Sequence, residues 1–251
     1  MKQYYTKNKI TPERFSLLKR FLFVIAIGLT HGLFAQPDAN EWVWVGGDSA
    51  NLDKELFGIF GTRGVESPAN YPGARNRNLN WTDAAGNFWM MGGNGYDASG
   101  NTGLLNDLWK FNTTGNQWTW VSGSNIFNQF SVYGTKGVAA ASNVPGGRQG
   151  SVSWTDAVGN LWLFGGQGYA ATATIGLLND LWKYDVVTNQ WTWVSGSNLI
   201  NQNGVYGAKG VAAASNTPGV RLGSVSWTDA AGNLWLMGGE NGSSRFNDLW
   251  K

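Results

Sequence analysis

The 251-residue chain has no cysteine and one histidine. Without cysteine there is no disulfide framework, no thiolate-bound zinc and no Cys-His nucleophile. The single histidine, His31, falls in an N-terminal leader. A body without it can run no Ser-His-Asp mechanism and build no ordinary zinc, copper or haem site. Charge is sparse as well, at 14% of residues. Residues 1–35 hold six of the 18 Lys/Arg and one of the 16 Asp/Glu, which leaves 12 basic and 15 acidic side chains and a net charge near −3 beyond them. A weakly acidic body without a basic cluster argues against phosphate-backbone binding, so no nucleic-acid partner is expected. The apolar run at residues 21–35 has fifteen residues, short of the roughly 20 that cross a bilayer. Preceded by basic residues and ending in Leu33-Phe34-Ala35, it reads as a secretory signal peptide. The expected mature protein is residues 36–251, secreted or at the cell surface, with no membrane span after cleavage.

Glycine (36) and tryptophan (15) are abundant instead, and both recur on a fixed period. Trp81-Thr-Asp-Ala-Ala-Gly-Asn returns at Trp154 and at Trp227, 73 residues apart each time. Gly92-Gly93, Gly165-Gly166 and Gly238-Gly239 keep that spacing, as do Arg75, Arg148 and Arg221 behind their Pro-Gly turns. Asn106-Asp-Leu-Trp-Lys and Asn179-Asp-Leu-Trp-Lys keep it too, while the third copy at Asn247 comes five residues early because a loop is shorter. Such self-similarity signals tandem structural units, so the indoles are read as packing residues shared by every copy.

Within the second copy, four short segments lie between turn signals: Ser151-Val-Ser-Trp154, Leu161-Trp-Leu-Phe164, Leu181-Trp-Lys-Tyr184 and Trp191-Thr-Trp-Val194. Alternation or a fully apolar run over four residues predicts strands, and no sustained 3.6-residue period predicts a helix. Asp156-Ala-Val-Gly159-Asn reads as a hairpin turn, with Asp bonding the turn backbone and Gly taking positive φ.

The apolar strand ending in Gly-Gly, the Asn-Asp-Leu-Trp-Lys-Tyr-Asp after it, the Asn189-Gln-Trp-Thr strand and the Arg opening each unit together resemble the kelch repeat family. The likeness covers about residues 40–251 in three concordant copies, and its long inter-unit loop suggests a secreted bacterial subgroup. Ser or Asn stands where many kelch units place a His after the Arg. The resemblance implies an all-β, kelch-type β-propeller of four-stranded antiparallel blades, related to the galactose-oxidase-like propellers. Units are expected at about 75–121, 148–194 and 221–251, with residues 41–45 as a fourth strand. That makes about three blade-equivalents where propellers have 4–8, so a partial propeller is expected, or short chains assembling into one ring. Copper oxidase chemistry is not implied, because its histidine ligands and Tyr-Cys crosslink have no counterpart here.

In an up-and-down unit the long inter-unit segments (46–74, 122–147, 195–220) share a face with the loops after the second strand (94–105, 167–178, 240–246), and loops on a rigid scaffold carry function. This face is the expected binding site for a glycan or an extracellular protein. Its candidate ligand residues are those that vary between copies, Asn94, Tyr96, Asp97, Asn101, Gln167, Tyr169 and Glu240, with Arg75, Arg148 and Arg221 as a ring of guanidinium groups or, alternatively, braces between units. Asp97, Ser99 and Asn101 match half of a calcium loop, but Leu108 stands where the bidentate Glu belongs, so no metal is expected. No catalytic residue and no cofactor are assigned. Two alternatives remain at this point: a carbohydrate-active enzyme using Asp97 and Glu240 as a carboxylate pair, and a purely structural cell-surface repeat protein whose recurrent loops, such as Gly134–Ser142 and Gly207–Ser215, serve packing.

Overall fold

The computed structural model describes residues 41–47 and 56–251. The chain divides between Gly46 and Gly47, and the signal-peptide segment lies outside the described residues. The described chain is all-β and entirely antiparallel, in three successive repeat units. The first comprises β1 (Arg75–Asn76), β2 (Leu79–Thr82), β3 (Phe88–Met91), β4 (Asn94–Tyr96), β5 (Thr102–Leu104), β6 (Leu108–Asn112) and β7 (Gln117–Ser122). The second comprises β8 (Arg148–Gln149), β9 (Val152–Thr155), β10 (Leu161–Tyr169), β11 (Ile175–Asp185) and β12 (Gln190–Ser195). The third comprises β13 (Val225–Thr228), β14 (Leu234–Met237) and β15 (Leu249–Trp250). Each unit has its strands in chain order, as in β2-β3-β6-β7.

Short alternating strands form because each can bury one face. Leu79 and Trp81 of β2 are buried while Asn80 and Thr82 are exposed. The hairpin turn after β2 is fixed by one carboxylate: Asp83 Oδ1 accepts the Ala85 and Asn87 amides, and Oδ2 accepts Trp89 Nε1 at 2.9 Å. Asp156 and Asp229 do the same with Trp162 and Trp235.

In the second unit the second and third strands run on beyond their apolar cores. β10 continues through Gly165-Gly166, with a register shift between Phe164 and Gly166. Both glycines have positive φ, 65° and 90°. A Cβ on Gly165 would sit 3.0 Å from the carbonyl oxygens of Arg221 and Leu178. The pair is therefore a joint through which the next unit's Arg-bearing strand passes at backbone contact. Gly92-Gly93 repeats the joint against Arg148, whose carbonyl accepts the Gly93 amide at 2.9 Å.

Units stack through their first strands. Ser153 and Thr155 hydroxyls donate to the Asn80 and Thr82 carbonyls at 3.0 and 3.3 Å, and Ser226 donates to Ser153 at 3.0 Å. Trp81 Nε1 donates to the Trp162 carbonyl, as Trp154 does to Trp235, at 3.0 and 2.9 Å. Between these contacts lies the core, in which Trp81, Trp89, Met91, Leu161, Leu163, Trp182 and Tyr184 pack together.

Two expectations change. The long inter-unit segments are edge covers: Gly137 and Ala140 amides donate to the Trp193 and Trp191 carbonyls of β12, and Asn143 Nδ2 donates to Trp191. Gly64, Ser67 and Asn70 cover β7 identically. The recurrent loop sequence thus blunts a strand edge that would otherwise invite pairing with another chain. Residues 41–45, expected as a strand, have no strand structure, since alternation supplies a face but not a hydrogen-bonded partner. Trp44 Nε1 nevertheless donates to Gly46 O, the local bond that Trp120 makes to Ser122 and Trp193 to Ser195.

Each unit is locked by a buried ion pair. Arg148 meets Asp180 in a fork, both nitrogen–oxygen distances 2.9 Å, with both side chains inaccessible to solvent. Burial alone would lower the arginine pKa, but the Asp180 charge and hydrogen bonds outweigh it, and the net direction is upward. Asp180 also accepts Trp182 Nε1 and the Tyr133 hydroxyl. Removing either charge strands the other in the interior, so Arg148→Met and Asp180→Asn are each expected to cost about 3–5 kcal/mol, read as a lowered urea midpoint.

The turn carboxylates couple stability to pH. Indole and amide donors from Trp235 and Asn233 hold Asp229 below the ordinary 3.8. At Asp83 and Asp156 burial pulls the other way, but the Trp and Asn hydrogen bonds prevail and the direction is again downward. A folded-state pKa below the unfolded one contributes stability that is full above the unfolded value and disappears as pH falls through the folded one. The urea midpoint is expected to be flat near about pH 6 and to fall from about pH 4 downward, less steeply in Asp229→Asn.

Candidate functional site

Beyond each glycine joint the strands continue into a short extension, and there the copies stop being alike. Asn76 pairs with Asn94, Gln149 with Gln167, and Leu222 with Glu240, all at the equivalent register. Gln149 Nε2 donates to Gln167 Oε1 at 2.9 Å. Side chains two apart on a strand share a face, which sets Tyr96 beside Asn94 and Tyr169 beside Gln167. The three extensions are neighbours: the Gly150 amide donates to the Arg77 carbonyl at 3.1 Å and Gly223 to Gly150 at 3.0 Å. One mouth therefore carries amide pairs in the first two units and a Leu-Glu pair in the third. Asn76 and Asn94 are exposed, and Gln149, Gln167, Tyr96 and Tyr169 are half-buried.

Four sequence candidates, Asn94, Tyr96, Gln167 and Tyr169, thus gather at this mouth, and Glu240 lies at its third unit, with Arg245 Nε 3.9 Å from its carboxylate. The others lie elsewhere, and most are buried. Asp97 is fully buried, its Oδ1 accepting the Ser99 and Asn101 amides at 2.8 and 2.9 Å. Asn101 is exposed at the same hairpin tip, where its amide serves that turn. Arg75 and Arg221 repeat the Arg148 lock, paired with Asp107 and Asp248 at 2.6 and 2.7 Å. Asp248 is held low, its burial outweighed by Arg221, Trp250 and Tyr206 donors. The guanidinium ring is therefore the brace reading, satisfied inside each unit. Asp97 and Glu240 lie in different units with different partners, so the carboxylate pair is not assembled.

Asn76 and Gln149 complete the mouth and were not singled out by sequence reasoning. Their signal was available, since each follows an unvarying Arg directly and differs between copies. The expected common side for hairpin tips and long loops is present: the Asn128 amide donates to Leu104 O at 2.7 Å, and Asn201 to Leu177 O at 2.8 Å. A cleft of about 330 Å³ opens among these loops, lined by Arg63, Asn106, Gln129, Phe130 and Val144. Arg63 is already engaged there, stacked 4.3 Å over Trp120 and donating to Gly123 O. Among the described residues no three His, Cys, Asp or Glu side chains group to hold a metal ion, and no helix is long and apolar enough to cross a membrane.

No family model and no curated protein matches the chain. Among solved structures it is similar to one described as "Structure of YjhT", at 18% identity and a TM-score of 0.45, over 70% of this chain and 48% of that one. The chain spans about half the length of that protein.

Because Asp97 serves its own turn, Asp97→Ala is expected to lower stability by about 1–3 kcal/mol in urea unfolding, the cost of losing the acceptor for the Ser99 and Asn101 amides.

Proposed function

We propose that the chain is part of a secreted kelch-type β-propeller that binds glycans at the mouth formed by the strand extensions. What carries this reading is the division of labour between copies. Residues identical in every copy are consumed by turns, ion pairs and inter-unit bonds, whereas Asn76, Asn94, Gln149 and Gln167, with Tyr96 and Tyr169, vary or remain accessible together. Planar amides offer paired donors and acceptors that match vicinal sugar hydroxyls, and tyrosine rings add an apolar face with a polar tip. The antiparallel units joined through adjacent first strands support the propeller architecture, and the leader composition supports secretion.

No catalysis is assigned in this proposal. The two carboxylates that an enzyme reading would use are not set against each other, Asp97 being committed to its turn in the first unit and Glu240 lying in the third. A structural role for the long loops is favoured by their edge-covering bonds, and it is compatible with ligand binding at the mouth, which those bonds do not occupy.

A glycan array probed with the full chain identifies binders. The Gln149→Ala, Gln167→Ala, Tyr169→Ala triple variant is expected to lose about tenfold or more in affinity for them with its circular dichroism unchanged. Unchanged affinity would place recognition elsewhere.

A further inference from the structure

One residue at the mouth breaks a backbone rule that its counterparts obey. Positions 77, 150 and 223 are equivalent, and the last two are glycines with φ of 65° and 69°. Position 77 is an arginine held at φ 54°, its carbonyl accepting the Gly150 amide. A long L side chain is strained in this left-handed region, and glycine at the same place in two copies shows that the fold itself asks for none. Arg77 is exposed, and among the described residues its guanidinium donates no hydrogen bond and meets no carboxylate. Its other arginine neighbours in the repeat behave differently, because Arg75 and Arg148 are consumed by Asp107 and Asp180.

The repeat also shows where this side chain departs from the backbone. A Cβ built on Gly150 would lie 3.6 Å from Cβ of Leu222 in the next unit. Leu222 is the counterpart of Gln149, so the same geometry directs Arg77 Cβ toward Gln149 and its hydrogen-bonded partner Gln167. The acidic side chain of the mouth, Glu240, belongs to the third unit and has Arg245 beside it. The first two units thus root an exposed arginine side chain beside planar amides.

We infer that Arg77 grips the charged group of an anionic sugar, a carboxylate or a sulfate ester, while the neighbouring amides take its hydroxyls. This deepens the glycan reading above and rests on it. A guanidinium presents paired N–H donors matched to two oxygens of such a group, a stronger and more directional contact than an amide gives to a neutral hydroxyl.

The test uses the full chain and three probes in calorimetric titration: oligogalacturonate, a sulfated galactan oligosaccharide and a neutral galactan oligosaccharide. The wild type is expected to bind at least one anionic probe more tightly than the neutral one. Arg77→Gly restores the residue of the other copies, so it is expected to melt at the same temperature or higher. Its affinity for the anionic probe should nonetheless fall by about tenfold to a hundredfold, with neutral binding unchanged. Arg77→Lys, which keeps the charge without the fork, should fall between. Neutral binding without anionic preference in the wild type, or an Arg77→Gly protein that binds anionic probes undiminished, overturns the inference and leaves the glycan reading standing. No binding of any probe, with the array also blank, overturns that reading itself. A lower melting temperature for Arg77→Gly overturns the strain argument on which the assignment rests.

Discussion

Everything in the repeat converges on a buried guanidinium, and in the second copy it has no donor left over. Arg148 places all five of its N–H groups: Nε on Gly146 O, the two terminal nitrogens on the Asp180 carboxylate, and the remaining pair on Gly165 O and Ser131 Oγ. A buried charge is tolerable only when paired and fully hydrogen-bonded, so these five partners cannot be exchanged piecemeal. They tie the turn before a unit, the joint after its second strand and the start of its third. The same residue's backbone amide and carbonyl bond Leu105 O and Gly93 N of the preceding unit. One side chain therefore fixes the inside of a unit and the same residue's backbone fixes the seam between two.

That constraint explains which features repeat. The glycine joint must admit the arginine strand, the Asp must precede a tryptophan whose Nε1 it accepts, and an aromatic must close the lock from the covering loop. Tyr133 and Tyr206 close it with a hydroxyl on Asp180 and Asp248, whereas Phe60 in the first copy closes it by ring packing alone, 4.9 Å from Trp109. Burial, followed by the Asp180 charge, pushes the Tyr133 phenol well above its ordinary pKa, so it stays a donor throughout the physiological range. The loops that looked most suited to carry function are in this way largely engaged in covering edges, and variation is displaced to the strand extensions beyond the joint.

The hairpin turns, the four strands of a full copy and the equivalence of the three units were legible, because each rests on interactions within a few residues or on a strict period. Asp83 and its siblings act within six positions of themselves, which is why their turn role could be read without coordinates. The candidate site was half legible. Asn94 and Gln167 stand out by varying where the rest repeats, and the two tyrosines by their absence from the third copy, but Asp97 varies too and proves to be buried in its own turn. Variation alone cannot tell a free side chain from one that has found a local partner.

What the sequence determined by itself was the repeat, the strand pattern and the turn chemistry, all products of local backbone preference and burial alternation. Tertiary structure alone decided how the arginines are spent, that the long loops lie along strand edges, and that residues 41–45 stay out of a strand despite their pattern. It also decided that Asn76 and Gln149 complete the mouth beside Arg77. The physical reason is common to all of these. An ion pair, an edge bond and a shared mouth each need two groups distant in the chain, and their pairing exists only once the backbone has brought both ends together.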